Sequence, residues 1–474
     1  MRRGKPCLGL AACCMALTAL AQTPTPLEPV TVTATRIGTD AFNVPASIDR
    51  IALDAPALGA SLAESLQSVP GLAARERQNY AQDTQISIRG FGSRAAFGIR
   101  GVRLLLDGIP ATQPDGQGQI SHFNLASADR VEVLRGPFSA LYGNSSGGVI
   151  QLFTAEASAT PQLNLEAFGG SYGDRRLSLV SSGYGGTLAY TDFRTEGYRE
   201  HSAAKRRSFN AKLLLPAGAG GTLTVLANHL DAPDAQDPLG LTRAQFEADP
   251  RQATAVATQF DTRKSTQQTQ LGVIYEQDFG GRSALRLLGY GGQRDIEQFL
   301  AIPISAQTSA TASGGVVDLG SGYAGADARW AHRGETLTWV VGIAFDRLRQ
   351  QRRGFENFVG TQTGVRGALR RDEINTVSAF DQYLQVDWVI TPRFSTMAGL
   401  RHSALRFASQ DRYVRSGNGD DSGRVRYEAT TPVAGLLFKQ SDAAHWYAAY
   451  GSGFETPTFA ELAYRPDGAA GLNF

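Results

Sequence analysis

From about residue 160 to the end of the chain, apolar and polar residues alternate in one run after another. Thirteen runs can be marked off, at 162–168, 176–182, 187–194, 208–215, 222–230, 266–277, 283–298, 316–330, 337–348, 375–389, 394–407, 427–439 and 444–450. Alternation at period two sends successive side chains to opposite faces, so each run predicts a β-strand with two unlike faces. The connectors alternate as well. Tight turns at 183–186, 216–221, 279–282, 331–335, 390–393 and 440–443 are separated by longer loops, notably 231–265, 291–315, 349–374 and 408–426. An antiparallel meander with short turns at one end and long loops at the other is the pattern of an outer-membrane barrel. A large soluble sandwich or propeller is the weaker alternative, and the repeat of ~40–50 residues that a propeller would show is not found. In 375–389 the register Thr376, Ser378, Phe380, Gln382, Leu384, Val386, Trp388 is apolar from Phe380 onward, interrupted by Gln382, and is predicted to face lipid.

Residues 43–155 have another texture. Strand-like runs at 85–89, 102–106, 130–134 and 149–153 are punctuated by Gly and Pro turns, and Ser61-Leu62-Ala63-Glu64 has the spacing of a capping box opening a short helix. This predicts a compact α/β domain ahead of the barrel. Before it, Glu28, Pro29, Val30, Thr31, Val32, Thr33 and Ala34 read as an extended segment at a free end. Such a segment can add a strand to another protein's sheet edge, or be the first strand of the next domain.

Composition sharpens this picture. Gly makes up 53 of 474 residues, about 11% against a usual 7%, and charged residues are 19% against about 25%. That balance suits many strands joined by tight turns. No run of 18 apolar residues could form a spanning helix. Residues 1–21 pair a basic start (Arg2, Arg3, Lys5) with an apolar stretch and the small-x-small site Ala19-Leu20-Ala21, and are read as a signal peptide. Taking those three charges from the 46 basic groups leaves 43 against 44 acidic, so a nucleic-acid footprint is absent. Cys7, Cys13 and Cys14 all fall in the signal, which excludes disulfide and thiolate chemistry from the mature chain. The six histidines show no His-x-x-x-His pair, so a local metal site is not expected, and an enzyme is not expected either. No cofactor is expected either.

Four segments then become recognisable. Gln85-Ile86-Ser87-Ile88-Arg89-Gly90-Phe91, Leu105-Leu106-Asp107-Gly108-Ile109-Pro110, Val131-Glu132-Val133-Leu134-Arg135-Gly136-Pro137 and Ala140-Leu141-Tyr142-Gly143-Asn144-Ser145-Ser146-Gly147-Gly148-Val149-Ile150 resemble the plug of TonB-dependent outer-membrane transporters. Glu28–Ala34 looks like that family's TonB box, and Phe454-Glu455-Thr456-Pro457-Thr458-Phe459-Ala460-Glu461-Leu462 like its mid-barrel signature. The resemblance implies an all-β transmembrane barrel of 22 antiparallel strands, about thirteen of them in this sequence, with an α/β plug in the lumen. The expected layout is 1–21 signal, 22–42 periplasmic tail, 43–155 plug and 160–474 the first part of the barrel. With nine strands unaccounted for, the chain is read as C-terminally truncated, Phe474 being a chance ending. The nearest likeness within the family is the branch importing pyrroloquinoline quinone, carried by segments 77–83, 89–94, 110–119, 261–264 and 417–423. Ferric-citrate receptors are a more distant likeness.

What the resemblance implies for individual residues follows. Arg89, Glu132 and Arg135 would be buried plug charges bridging to one another or to the wall. The box would pair with TonB, whose inner-membrane complex supplies energy. Ligand candidates at the plug apex are Gln78, Asn79, Tyr80, Arg94, Gln113 and Asp115; on the loops they are Arg199, Arg206, Arg347, Arg349, Arg352 and Arg353. Arg forks suit carboxylates and aromatic faces suit flat rings, as a small anionic ligand (the quinone or a ferric chelate) would need. The Arg-rich loop could instead meet lipopolysaccharide phosphates. A monomer in the outer membrane, among its lipid and lipopolysaccharide, is expected.

Overall fold

The computed structural model describes residues 31–32, 36, 38–53, 61–77, 79–95, 98–463 and 472. Two short strands open it, β1 (Thr31–Val32) and β2 (Thr39–Asp40), paired antiparallel. Part of the expected TonB box therefore has a strand partner in its own chain. Glu28, Pro29, Val30, Thr33 and Ala34 lie outside the described residues, as does Gln78.

The plug contains β3 (Ser47–Ala52), helix α1 (Ala63–Leu66), β4 (Leu72–Arg75), β5 (Gln85–Ile88), β6 (Val102–Leu106), β7 (Ile109–Pro110), β8 (Ala128–Arg135) and β9 (Gly148–Thr154). Five strands form a mixed sheet in the order β3-β8-β9-β6-β7, in which β6 and β9 run parallel. Leu104, Val131, Val133, Ile150 and Leu152 fill its core with Leu66, Ile86 and Ile88. The predicted capping box does not form. Ser61 accepts from the Ala63 N–H at 3.2 Å, but its hydroxyl donates to Glu76, 2.6 Å away, and no side chain caps α1.

The wall runs β10 (Gln162–Gly169), β11 (Arg175–Gly183), β12 (Gly186–Thr195), β13 (Ala204–Pro216), β14 (Gly221–Gln236), helices α2 (Arg243–Ala248) and α3 (Ala255–Phe260), β15 (Arg263–Phe279), β16 (Ser283–Phe299), β17 (Val316–Arg333) and β18 (Leu337–Phe355). A loop ribbon, β19 (Phe358–Val359) and β20 (Gln362–Thr363), follows. Then come β21 (Leu369–Thr391), β22 (Phe394–Asp411), β23 (Gly423–Ser441), β24 (Ala444–Gly451) and helix α4 (Phe459–Leu462). The thirteen strands β10–β18 and β21–β24 form one meander in which each strand pairs antiparallel with its chain neighbour. All thirteen alternating runs of the sequence lie on these strands. The strands extend further at the loop ends: β18 reaches Phe355, so Arg347, Arg349, Arg352 and Arg353 sit on a strand and not on a loop.

The two faces differ as alternation requires. Val341, Ile343 and Phe345 of β18 and Phe380, Leu384 and Trp388 of β21 are exposed on the outside, which is the register predicted for lipid. The opposite face meets the plug. Val44, Leu105, Leu134, Phe138, Leu141 and Val149 pack against Met397 and Val433, and Ile109 packs against Leu226, Ile274 and Leu288. Approach is close at Gly399, where an added Cβ would stand 2.7 Å from Leu141 Cδ2. A side chain there would force the buried Leu141 side chain to shift.

The exposed row on β18 has a measurable consequence. Ile343→Arg should destabilise the folded protein by about 2–4 kcal/mol in lipid vesicles, the depth-dependent cost of a charge on a lipid face. Urea unfolding of the vesicle-inserted protein reads it. An unchanged midpoint would place Ile343 in water.

Candidate functional site

The seam between plug and wall is where inward polar residues of the strands find charged partners. Arg103, just inside β6, pairs with Asp346 of β18 at 3.3 Å, and both are buried. Tyr290 donates to the other oxygen of Asp346 at 2.5 Å. Lys212 of β13 lies 3.5 Å from Asp107 and donates to the Thr154 carbonyl at 2.9 Å. Arg401 of β22 pairs with Asp381 at 2.7 Å and donates to the Leu141 carbonyl at 2.6 Å. A charge removed from water is costly unless it is paired and hydrogen-bonded; for Arg103, Asp346 and Lys212 the pairing is supplied across the seam, and for Arg401 within the wall.

At the apex, segment 79–84 is fastened to the wall and to the β14–β15 loop. Asn79 donates to Asp237 at 2.7 Å and Gln82 donates to its other oxygen. Asp83 pairs with Lys264 at 3.3 Å. Tyr80 packs among Ala81, Ala204 and Ala235, its ring 5.1 Å from that of Phe193. Burial, with the charges of Asp174 and Glu76, raises its phenol well above the usual range. Arg206 donates to the Phe123 carbonyl at 2.9 Å. His122 is buried beside Arg294 and Arg206; burial first and these cations second push its pKa down to about 3, so the ring is neutral.

A second clasp uses the mid-barrel signature. After β24 the chain turns in against the plug. Arg100 pairs with Glu461, lies 3.8 Å from Glu455, and donates to the Thr456 carbonyl at 2.8 Å. Asn144 exchanges two hydrogen bonds with Thr456, 2.8 Å to the hydroxyl and 3.0 Å from its N–H. Thr458 and Glu461 form a reciprocal capping box that starts α4. The Phe459 N–H, an otherwise unsatisfied helix-end donor, points to Asp115 Oδ2 at 3.5 Å.

The candidate residues scatter. Asn79 and Tyr80 face the wall, and Asp115 is buried under the second clasp. Gln113 holds a tight turn with Gln117 and Gly116. Arg199 donates to the carbonyls of Pro238, Leu239 and Gln252, tying down the loop that carries α2 and α3. Arg347 and Arg349 share the outward register of Phe345, away from the lumen. Arg353 shares it too and pairs with Asp318 at 3.0 Å; Arg352 has the inward register. Arg94 is exposed and, among the described residues, makes no hydrogen bond or ion pair. Of the three plug charges, Glu132 and Arg135 are buried and paired as expected, and Arg89 departs from expectation. Arg135 pairs with Asp49 at 2.6 Å and Glu132 with Arg130 at 3.1 Å, both within the plug, while Arg89 is exposed. Arg100, Arg103, Lys212, Asp237 and Asp346 were not anticipated. A charged residue in the inward register of a strand, as Asp346 is, was the available signal.

Beneath the apex a cavity of about 650 Å³ separates plug and wall, lined by Arg36, Asp107, Lys212, Arg286, Asp327 and Arg329 among others. Arg36 enters it with φ +67°, a left-handed conformation that a non-glycine residue adopts at a cost. Its guanidinium lies 3.9 Å from the Tyr383 ring centre and 4.6 Å from that of Tyr142, and donates to the Leu141 carbonyl at 2.9 Å. It thus touches both bodies.

A plug bound through charged contacts to the inner face of a β-barrel wall defines a class, and the comparisons name it. Residues 41–149 match the TonB-dependent receptor plug domain, and residues 208–473 match the TonB dependent receptor-like β-barrel. The chain belongs to the TonB-dependent receptor family. It is 33% identical over 152 residues to the vitamin B12 transporter BtuB of Photobacterium profundum, covering 31% of this chain and 23% of that protein. To the hemin receptor of Yersinia enterocolitica it is 28% identical over 171 residues, 34% of this chain and 23% of the receptor. The aligned part thus spans about a quarter of these relatives. Among solved structures, the ferric citrate transporter FecA in its unliganded form superposes with a TM-score of 0.74 at 21% identity, over 92% of this chain and 67% of FecA. The ferric yersiniabactin uptake receptor FyuA from Yersinia pestis gives 0.69 at 19%, over 85% and 64%.

Asp115 supplies a pH test of the second clasp. Burial raises its pKa to about 6, opposed by the N–H groups of Gln117 and Phe459 and by Arg100. A carboxyl whose folded pKa lies above its unfolded value costs stability once ionised, and that cost is relieved as pH falls through about 6. Asp115→Asn, which retains an acceptor oxygen, should therefore melt higher than the parent at about pH 7.5, with the gap narrowing as pH falls below about 6 and closing at about pH 4, where the unfolded carboxyl is protonated as well. Calorimetric melting at the two pH values decides; an equal gap at both would mean that ionisation of Asp115 is not the cause.

Proposed function

We propose that the protein is an outer-membrane transporter that takes up a small anionic ligand with energy delivered by TonB. The observation that carries this reading is the seam. At its apex and clasps the plug is held to the wall through ion pairs and hydrogen bonds, which water can replace as the plug moves. Segment 28–34 would pair as an added strand with TonB, where main-chain hydrogen bonds give affinity with little sequence demand. Pairing there competes with the β1–β2 pairing inside the chain. Tension on the segment reaches Arg36 next, two residues beyond Ala34, and withdrawing that guanidinium from Tyr142 and Tyr383 would loosen plug and wall together.

For the ligand, the finer proposal is pyrroloquinoline quinone, a flat tricarboxylate. Its support is the sequence likeness of segments 77–83, 89–94, 110–119, 261–264 and 417–423. Arg94 is the apex candidate left exposed to meet a carboxylate. A ferric chelate is the second reading, favoured by the superposition on FecA. Calorimetric titration of the protein with metal-free quinone and, separately, ferric citrate distinguishes them. Heat from the quinone alone supports the first; heat from the chelate alone overturns it in favour of the second.

The energy step has its own test. Val32→Pro removes a main-chain donor from the segment that would add to TonB. Uptake by cells should fall to the level of a strain lacking TonB, while ligand binding to the purified variant stays at the parent value. Persisting uptake would show that this segment is not the one pulled.

A further inference from the structure

Strand register builds a row of inward positions across the wall of the cavity beneath the apex. Glu276, Arg286, Arg329, Gly342 and Tyr383 lie side by side on β15, β16, β17, β18 and β21. Arg329 shares the inward register of buried Tyr323 and lines the cavity. Its neighbours in the row are Arg286, a like charge directly opposite, and Gly342, which has no side chain. The Tyr383 ring lies across Gly342, where an added Cβ would collide with its phenol end. The row therefore offers Arg329 no acidic partner on either side. Among the described residues Arg329 makes no hydrogen bond or ion pair.

The charge around it is unbalanced. Arg286 pairs with Glu276 at 3.3 Å and lies 3.9 Å from Asp327. The other Asp327 oxygen accepts from Tyr383 at 2.9 Å. Arg36 arrives from the plug side over the Tyr383 ring. It has no ion pair among the described residues, and its Nε is buried without a hydrogen-bond partner. Three guanidinium groups thus meet two carboxylates, and one of these, Glu276, is half exposed. The other buried cations of the cavity, Arg103, Lys212 and Arg401, already have acidic partners. Glu156, Asp278 and Arg333, the remaining charged residues lining it, are exposed to water. Like charges directly opposite each other destabilise a strand pair, so Arg286 and Arg329 are better tolerated with an anion between them. The same anion would supply the acceptor that Arg36 lacks.

We infer that this cavity is a second anion site, taking a small polycarboxylate on Arg36, Arg286 and Arg329. Its volume of about 650 Å³ is that of a small-molecule site. Its lining runs from Arg103 and Asp346 to Gly185 and Gly220 in the short turns, toward the end of the wall opposite the long loops. Arg286 and Arg329 stand on adjacent strands, about 4.8 Å apart, and Arg36 enters from the plug, so each fork can take its own carboxylate of one molecule. Cargo leaving the apex would reach this station before the short-turn end. That the occupant is a carboxylate rests on the proposed function; the site itself is read by thiol chemistry without transport, so either can fail alone.

Ala284 lines the cavity two residues from Arg286, in the same inward register. In the full chain with Cys7, Cys13 and Cys14 changed to Ser, Ala284→Cys places a single thiol there. Ala443→Cys, in an exposed turn outside the cavity, is the control. Each protein, folded in detergent, is reacted with two methanethiosulfonates of similar size, the anionic sulfonatoethyl and the cationic trimethylammonioethyl reagents. Relative to the control, the thiol at position 284 should favour the anionic reagent by about tenfold. Adding Arg329→Gln should cancel most of that preference. Adding Arg329→Lys, which keeps the charge, should preserve it. Millimolar metal-free citrate should slow modification at position 284 severalfold, but not at position 443 and not once Arg329→Gln is present. Absence of the anion preference, or of protection by citrate, overturns the inference. So does protection that survives Arg329→Gln, which would arise elsewhere. Equal loss of the preference in Arg329→Gln and Arg329→Lys overturns the role given to the charge of Arg329. Equal protection by inorganic phosphate overturns the polycarboxylate assignment.

Discussion

Arg103 and Asp346 bury their charges against one another at a junction between two bodies far apart in the chain. Neither could be left in place alone, because an unpaired charge away from water costs several kcal/mol. The rest of the architecture follows from meeting that requirement repeatedly. A barrel wall must present apolar side chains to lipid, so strand alternation delivers polar ones inward, and these need partners. The plug provides them at Arg103, Asp107, Arg100, Asp83 and the Leu141 carbonyl. Plug and wall are therefore each incomplete on the faces they share.

Apolar contacts locate the plug without covering the whole seam. Ile109 sits among Leu226, Ile274 and Leu288, and Leu141 meets Gly399. These patches set depth and rotation. Around them, polar contacts take over, each worth about 0.5–1.5 kcal/mol net because water offers nearly equivalent partners. Buried apolar area has no such substitute and is lost in full on separation, at about 25 cal/mol per Å². A seam of small apolar anchors within a polar field is thus firm at rest, yet cheaper to open than an apolar core of the same extent.

Much of this was legible in the sequence, for a physical reason. Period-two alternation follows from having lipid on one side and a polar lumen on the other, and it marked all thirteen wall strands, including the lipid-facing register of 376–388. It faded at the loop ends. Beyond Leu348, β18 carries Arg349 to Arg353, polar on both faces, although pairing with β17 continues to Phe355. The arginines there read as a loop because alternation of polarity stops where hydrocarbon stops. Residue roles were less legible. Arg89, in a recognised motif, is exposed, whereas Asp237, in the long 231–265 loop but in no recognised motif, holds both Asn79 and Gln82. Which charge meets which is decided by the docking of distant segments, and one sequence does not encode it locally. The mid-barrel signature lies between these cases: its likeness marked the family, and the structure adds that Glu455, Thr456 and Glu461 grip Arg100 and Asn144.

Arg36 shows why the position of a contact can matter more than its strength. Two cation–π contacts and one hydrogen bond amount to a few kcal/mol at most, less than the apex ties and clasps together. Those ties are distributed around the seam, and a load shared among them would leave each below its limit. Arg36 is not in parallel with them. It lies in series with segment 28–34, so a load applied to that segment would meet it before the others. Its left-handed backbone offsets part of its own contact energy. It is also anchored at once to Tyr142 of the plug and Tyr383 of the wall, so its release would weaken both sides of the cavity wall in one step. A small contact placed first in series can fail at a force that the distributed contacts withstand, and its failure changes how the remaining load is shared. In this arrangement a plug that is stable against thermal motion need not be stable against a directed pull.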